Sequence, residues 1–174
     1  MDDLQRLVAI DEIKRLKATY LHAMDTKDWP RLQSVFTEDA VFDIRGEFDH
    51  QGNRVFNVRM DEMEPARTAA AHGDPSVVMG GAAIVGFIRS VAEKWVTVHH
   101  GHAPIIDIVG PDEATAIWPL FDNLYDGNNI FSGYGNYHDK YQRVDGKWLI
   151  SHLEIRRLRV EGDAPVAGVG PAQS

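Results

Sequence analysis

The sequence predicts an α+β fold: three N-terminal helices packed on a strongly curved antiparallel sheet, together making a cone-shaped domain. Apolar residues recur at helical spacing through the first half of the chain, and from Val96 onward the period changes to two. The strands of the second half are separated by turn signals, Gly110-Pro111-Asp112, Asp126-Gly127-Asn128-Asn129 and Asp145-Gly146. Helices first and a meander after them argue against a parallel sheet, which needs helical crossovers between strands.

The first helix is expected over 4–24, with Leu7, Ile10, Ile13, Leu16, Tyr20, Leu21 and Met24 as its apolar positions. Asp25 borders this stripe at the C-terminal end, where the helix dipole favours a cation over a carboxylate. A second helix starts at Asp28, a good N-cap, with Pro30 in the first turn, and it buries Trp29, Leu32, Val35 and Phe36. Residues 40–44 turn extended. Residues 49–79 hold Gly52, Pro65, Gly73 and Pro75 and only a weak helical stretch near 60–71, the pattern of an insertion or lid. A third helix is expected over 80–95, with Ile84, Phe87, Ile88, Val91 and Trp95 on one face. Strands follow at 96–103, 105–109, 114–125, 130–144 and 147–160, the last two joined by the Asp145-Gly146 hairpin turn. The expected organisation is one domain over 1–161 and a flexible Ala/Gly/Val/Pro-rich tail over 162–174. Twisted long strands covered on one face enclose an apolar compartment, in which any polar group needs a partner.

Composition narrows the function. The 174 residues fit a single domain, and 44% hydrophobic with 25% charged residues is the balance of a globular chain. With 18 Lys and Arg against 26 Asp and Glu the net charge is −8, which disfavours nucleic acid and anionic membranes as partners. There is no Cys, so disulfides, thiolate metal sites and cysteine nucleophiles are excluded. Met1-Asp2-Asp3 is unlike a signal peptide, and no apolar run is long enough to span a bilayer; a cytoplasmic location is expected.

The densest ionisable cluster is Thr97-Val98-His99-His100-Gly101-His102. Strand parity puts His99 on the side of Thr97, with His100 and His102 opposite. An inward histidine with a carboxylate partner makes a general base or acid; the plainer alternative is three strand histidines satisfied by the backbone. A metal site is a further alternative, but no spacing among the histidines resembles a helical His-Glu-x-x-His or a facial triad, so no metal is expected. Nucleophile-elbow and phosphate-loop motifs are missing, so neither covalent catalysis nor a nucleotide cofactor is expected. Lys17 falls inside the first helix's apolar stripe, where its stem can snorkel. Arg156 and Arg157 face opposite sides of the last strand, so one can point inward and must then pair or bind an anion. Asp122 shares parity with Trp118, Leu120 and Leu124, toward the interior.

Three blocks resemble the nuclear transport factor 2-like, SnoaL-like family. They are Ile13, Leu16, Tyr20, Asp25, Trp29, Leu32, Phe36, Asp39 and Phe42; then Thr97, His99 and Gly101; then Gly135, Tyr137, Asp139, Tyr141, Arg143, Asp145, Gly146 and Trp148, closing with Ile155 and Arg156. The pairing of Asp25 with His99 is similar to the His-Asp dyad of hexachlorocyclohexane dehydrochlorinase, scytalone dehydratase and bile-acid 7α-dehydratase. The resemblance implies His99 as proton-abstracting base, Asp25 as its orienting partner, Tyr20 as hydroxyl donor and Arg156 as an anion- or oxyanion-binding group. Tyr20 stands where the dehydrochlorinase has lysine, which favours loss of hydroxide over chloride. Phe42, Trp118, Asp122 and Lys17 are then expected to border the substrate.

The activity so implied is a cofactor-independent lyase, a dehydratase-type elimination on a small hydrophobic cyclic molecule. An isomerase or polyketide cyclase begins with the same proton abstraction, and a ligand-binding or subunit-assembly protein without chemistry is the other alternative. The resemblance implies a homo-oligomer, a trimer ahead of a dimer, and the apolar and aromatic residues on both faces of the long strands agree with a buried sheet face.

Overall fold

The computed structural model describes residues 1–45 and 76–162, which form three helices and seven strands. Helix α1 (Asp3–Asp25) opens with a capping box: the Asp2 carboxylate accepts from the Gln5 amide at 2.8 Å and the Gln5 side chain accepts from the Asp2 amide at 2.9 Å. Its buried stripe is Ala9, Ile13, Lys17, Tyr20, Ala23 and Met24, the spacing of one helix face. Asp28 accepts from the Arg31 amide and starts the single turn of α2 (Trp29–Gln33), which buries Leu32. Strand β1 (Phe36–Asp43) follows, then β2 (Val77–Met79) and α3 (Gly81–Ala92), whose buried face holds Ile84, Val85, Phe87 and Ile88.

The remaining strands are β3 (Val96–Gly101), β4 (Ile105–Ile108), β5 (Glu113–Tyr125), β6 (Ile130–Val144) and β7 (Lys147–Glu161). They form one sheet in the order β2-β1-β7-β6-β5-β3, with β4 continuing the β3 edge along β5. Pairing is antiparallel except between β1 and β7, which run parallel, so the sheet is mixed where the sequence suggested antiparallel pairing alone. That pair is reached through the whole chain rather than a local turn, which period-two alternation cannot reveal. Trp95 does not extend α3, which stops at Ala92; it joins Leu124 and Phe131 in a small separate cluster. The edge strand ends at Gly101, two residues short of the expected end at Ala103.

Strand β2 lies at the end of the stretch expected to be irregular and pairs with Val41, Phe42 and Asp43. The rest of that expected insertion from 49 through 75, its helical stretch near 60–71 and the tail beyond 162 lie outside the described residues. The Asp145-Gly146 turn joins β6 and β7 with φ of 51° and 78°, the left-handed pair such a two-residue hairpin requires.

α1 lies across the concave side of the sheet. Between them sits the core of Ile13, Tyr20, Leu32, Phe42, Trp118, Tyr137, Ile150 and Leu153. Each large side chain so buried contributes about 1.5–3 kcal/mol of transfer free energy.

Candidate functional site

The C-terminal end of α1 meets the start of β3. The Asp25 carboxylate can only accept, so the His99 ring donates from Nδ1 to Asp25 Oδ1 across 2.6 Å, and the His99 amide donates to Asp25 Oδ2 across 2.8 Å. The Thr97 hydroxyl adds a 2.9 Å bond to Asp25 Oδ1 and receives one of 2.7 Å from Lys27 Nζ. Both oxygens of Asp25 are thus filled by donors, and the other ring nitrogen of His99, Nε2, points away from Asp25. Burial pushes the Asp25 carboxyl up, but the bonds and charge of His99 with the Thr97 hydroxyl outweigh it and hold the group below its ordinary value. The mismatch with the helix dipole is answered here: three donors and a neighbouring ammonium stabilise the charge.

The other edge of the His99 ring looks across the cone. Nε2 stands 3.9 Å from Asp122 Oδ2. Asp122 is clamped by Arg157 through two parallel bonds of 2.8 Å each, a bidentate pair buried on both sides. Tyr20 and Tyr137 lie nearby, their rings perpendicular with centroids 6.1 Å apart. Burial raises the Tyr20 phenol well above its ordinary range, and the Asp139 charge adds to this, so it stays a protonated donor. His99, Asp122, Arg157, Tyr20 and Tyr137 line a cavity whose other described lining residues are apolar, among them Phe42, Phe87, Ile88 and Leu124. The cavity measures about 80 Å³, several times what one water needs, so the compartment is not packed solid.

His99, Asp25, Tyr20, Asp122 and Phe42 therefore come together as the sequence suggested, although Asp25 touches His99 and not the cavity wall. Three expected residues do not. Arg156 is exposed on the outer face, bonded to Glu154 at 2.7 and 2.9 Å, and the inward arginine is Arg157. The cause is a bulge. Tyr141 faces Ile150 while Lys140 faces His152, so Ser151 is an extra residue in β7. Trp148 and Ile150 point inward before it; Leu153, Ile155 and Arg157 point inward after it.

Lys17 neither snorkels nor borders the cavity. It is fully buried, ion-paired with Asp139 at 2.9 Å, its ammonium 3.5 Å from the Tyr137 ring centre and 4.6 Å from that of Tyr20. Desolvation lowers its pKa against the pull of Asp139. Trp118 is core: its indole donates to the Tyr141 hydroxyl, which donates to Asp139. Tyr137, Thr97 and Lys27 complete the site, although the sequence assigned them no role in it. Gly133 is another such residue, and it carried a signal, since a glycine inside a long strand marks close approach. It faces Asp122, and a Cβ there would fall on Asp122 Oδ1 and Arg157 Nη1.

Comparison with known proteins agrees with this architecture. The chain is 23% identical over 151 residues to the probable cyclase FGR4 of Gibberella zeae, covering 84% of this chain and 89% of that protein. A scytalone dehydratase-like protein of Novosphingobium aromaticivorans superimposes with a TM-score of 0.71 at 19% identity, over 98% of this chain and 97% of that one. The hexachlorocyclohexane dehydrochlorinase LinA-type3 of Novosphingobium barchaimii gives a TM-score of 0.69 at 21% identity, over 99% and 100%. Proteins similar to this chain thus include dehydratase-like proteins, dehydrochlorinases and cyclases. Residues 5–154 match the SnoaL-like domain, and the chain belongs to that family.

Proposed function

We propose that this protein is a cofactor-independent lyase that eliminates water from a small hydrophobic cyclic alcohol carrying a carbonyl group. The observation that carries the reading is the 2.6 Å bond from His99 Nδ1 to Asp25, which leaves Nε2 facing an open apolar cavity. Nε2 takes the proton from the ring carbon beside the carbonyl. The C–H electron pair becomes the new double bond, and the C–O bond to the neighbouring carbon breaks. The departing hydroxide takes the proton from the imidazolium, giving water and returning His99 to its neutral form. Tyr20 hydrogen-bonds the departing hydroxyl oxygen, on which charge collects, and Asp25 holds the ring in its tautomer without being protonated.

Charge supports this assignment of roles. Asp122 and Arg157 neutralise one another, so that pair adds no net charge to the cavity, and a proton taken up by His99 is the charge that appears there. Asp122 then faces the imidazolium from 3.9 Å. An aldol-type ring closure starts with the same proton abstraction, and the likeness to a probable fungal cyclase favours it as the second reading. Exposed Val98, Ile105, Tyr134 and Leu158 on the outer sheet face support a homo-oligomer, for which we propose a trimer. A monomer mass in sedimentation at micromolar concentration would overturn that assignment.

The test is a panel of cyclic β-hydroxy ketones and chlorinated cyclohexanes, followed by mass spectrometry for loss of water or hydrogen chloride. Turnover of a hydroxy ketone that falls about 10²–10⁴-fold in His99→Ala and Asp25→Asn is expected. Turnover that survives both substitutions contradicts the mechanism.

A further inference from the structure

The turn that ends α1 holds a lysine in a position built for glycine. The Lys27 amide donates to the Met24 carbonyl and the Asp28 amide to the Ala23 carbonyl, the paired closure of a Schellman motif. Lys27 occupies its left-handed position with φ of 61°, where a side chain is disfavoured and Gly or Asn is usual. The other turn residues have evident local duties: Thr26 caps α1, and Asp28 caps α2. Lys27 itself is half-buried, and its ammonium reaches across the chain to β3.

What it does there follows from counting hydrogens. An ammonium can only donate, and the Thr97 hydroxyl has a single hydrogen. Because Lys27 Nζ donates to Thr97 Oγ1 at 2.7 Å, that hydrogen is directed to Asp25 Oδ1 at 2.9 Å. Asp25 Oδ1 then receives Thr97 and the His99 ring while Oδ2 receives the His99 amide. Every bond from Lys27 inward runs toward the carboxylate. We propose that Lys27 is a positioning residue: through Thr97 it fixes the direction of the hydrogen bonds at Asp25 and so holds His99 with Nδ1 protonated and Nε2 bare toward the cavity. Unfavourable backbone at this turn is the mark of a side chain retained for the site it serves.

Lys27 matters in this way for catalysis only where His99 acts as a base, as proposed above, but its effect on the ring exists in the resting protein. The test therefore uses the free, full-length protein, needs no substrate, and fails separately from the lyase reading. Nitrogen-15 NMR of the histidine-labelled protein reads the His99 tautomer and its Nδ1–H, and hydrogen exchange reads the His99 amide. In Lys27→Met and Lys27→Gly both protons should exchange about ten-fold faster, the cost of weakening charge-assisted bonds, with the β5 and β6 amides unchanged. Lys27→Arg should restore slow exchange. Lys27→Gly keeps the measurement possible if Lys27→Met folds poorly, because glycine suits the left-handed position, and its Tm should not fall. A ring signal and His99 exchange identical to wild type overturn the proposal. So does uniform acceleration across β5 and β6, which would make Lys27 a plain staple between α1 and β3.

Discussion

Asp122 Oδ2 lies 3.9 Å from His99 Nε2, on the opposite side of the ring from Asp25, so the imidazole stands between two carboxylates. Among the described residues, only the Asp25 side of the ring is in direct hydrogen-bond contact. Asp122 is also one half of a buried bidentate pair with Arg157. Replacing one partner strands the other charge away from water, so Asp122→Asn is expected to destabilise the fold by about 3–5 kcal/mol in urea titration.

Asp25 predicts a pH signature. Its folded pKa is depressed, so its stabilisation is full above its unfolded value, near the ordinary 3.8, and is lost as pH falls through the lower folded value. The stability gap between wild type and Asp25→Asn should shrink as pH falls from about 5 to below about 4. Denaturant midpoints across that range measure it. A gap that persists undiminished at the acid end contradicts the assignment.

Tyr20 is a donor that stays protonated, and its contribution belongs to the oxygen on which charge collects. Tyr20→Phe should lower dehydration of a hydroxy ketone about 10²-fold, the scale of removing one preorganised donor. His99-dependent proton exchange beside the carbonyl should survive to a larger degree. Equal loss of both would assign Tyr20 to holding the ring of His99 or the cavity wall instead.

Lys17 separates a structural from a substrate-binding role. Lys17→Met leaves Asp139 buried without its cation and should cost about 3–5 kcal/mol, while Lys17→Met with Asp139→Asn should recover most of it. If Lys17 bordered the substrate instead, the single change would raise KM at unchanged stability.

Much of this architecture was legible because local rules and the global fold agree. The helical stripe of α1, the Asp28 cap, the Asp145-Gly146 turn and the alternation of β5 each follow from spacing or turn chemistry that needs no tertiary context. Asp25 stood out because it opposes the helix dipole, and Asp122 because it shares parity with Trp118 and Leu120. What could not be read is what depends on one inserted residue or on distant pairing. Ser151 flips β7 and exchanges Arg156 for Arg157. The parallel partnership of β1 with β7 joins segments a hundred residues apart, and Lys17 meets Asp139 only across that closed core.

Proton abstraction by His99 is the central claim, and its most direct measurement removes the leaving group altogether. A cyclic ketone without a hydroxyl, incubated with the protein in D₂O, is followed by proton NMR for deuterium entering beside the carbonyl. Wild type should introduce deuterium on one face of the ring, with the rate falling about 10²–10⁴-fold in His99→Ala. Deuterium entry at the same rate in His99→Ala would contradict the account.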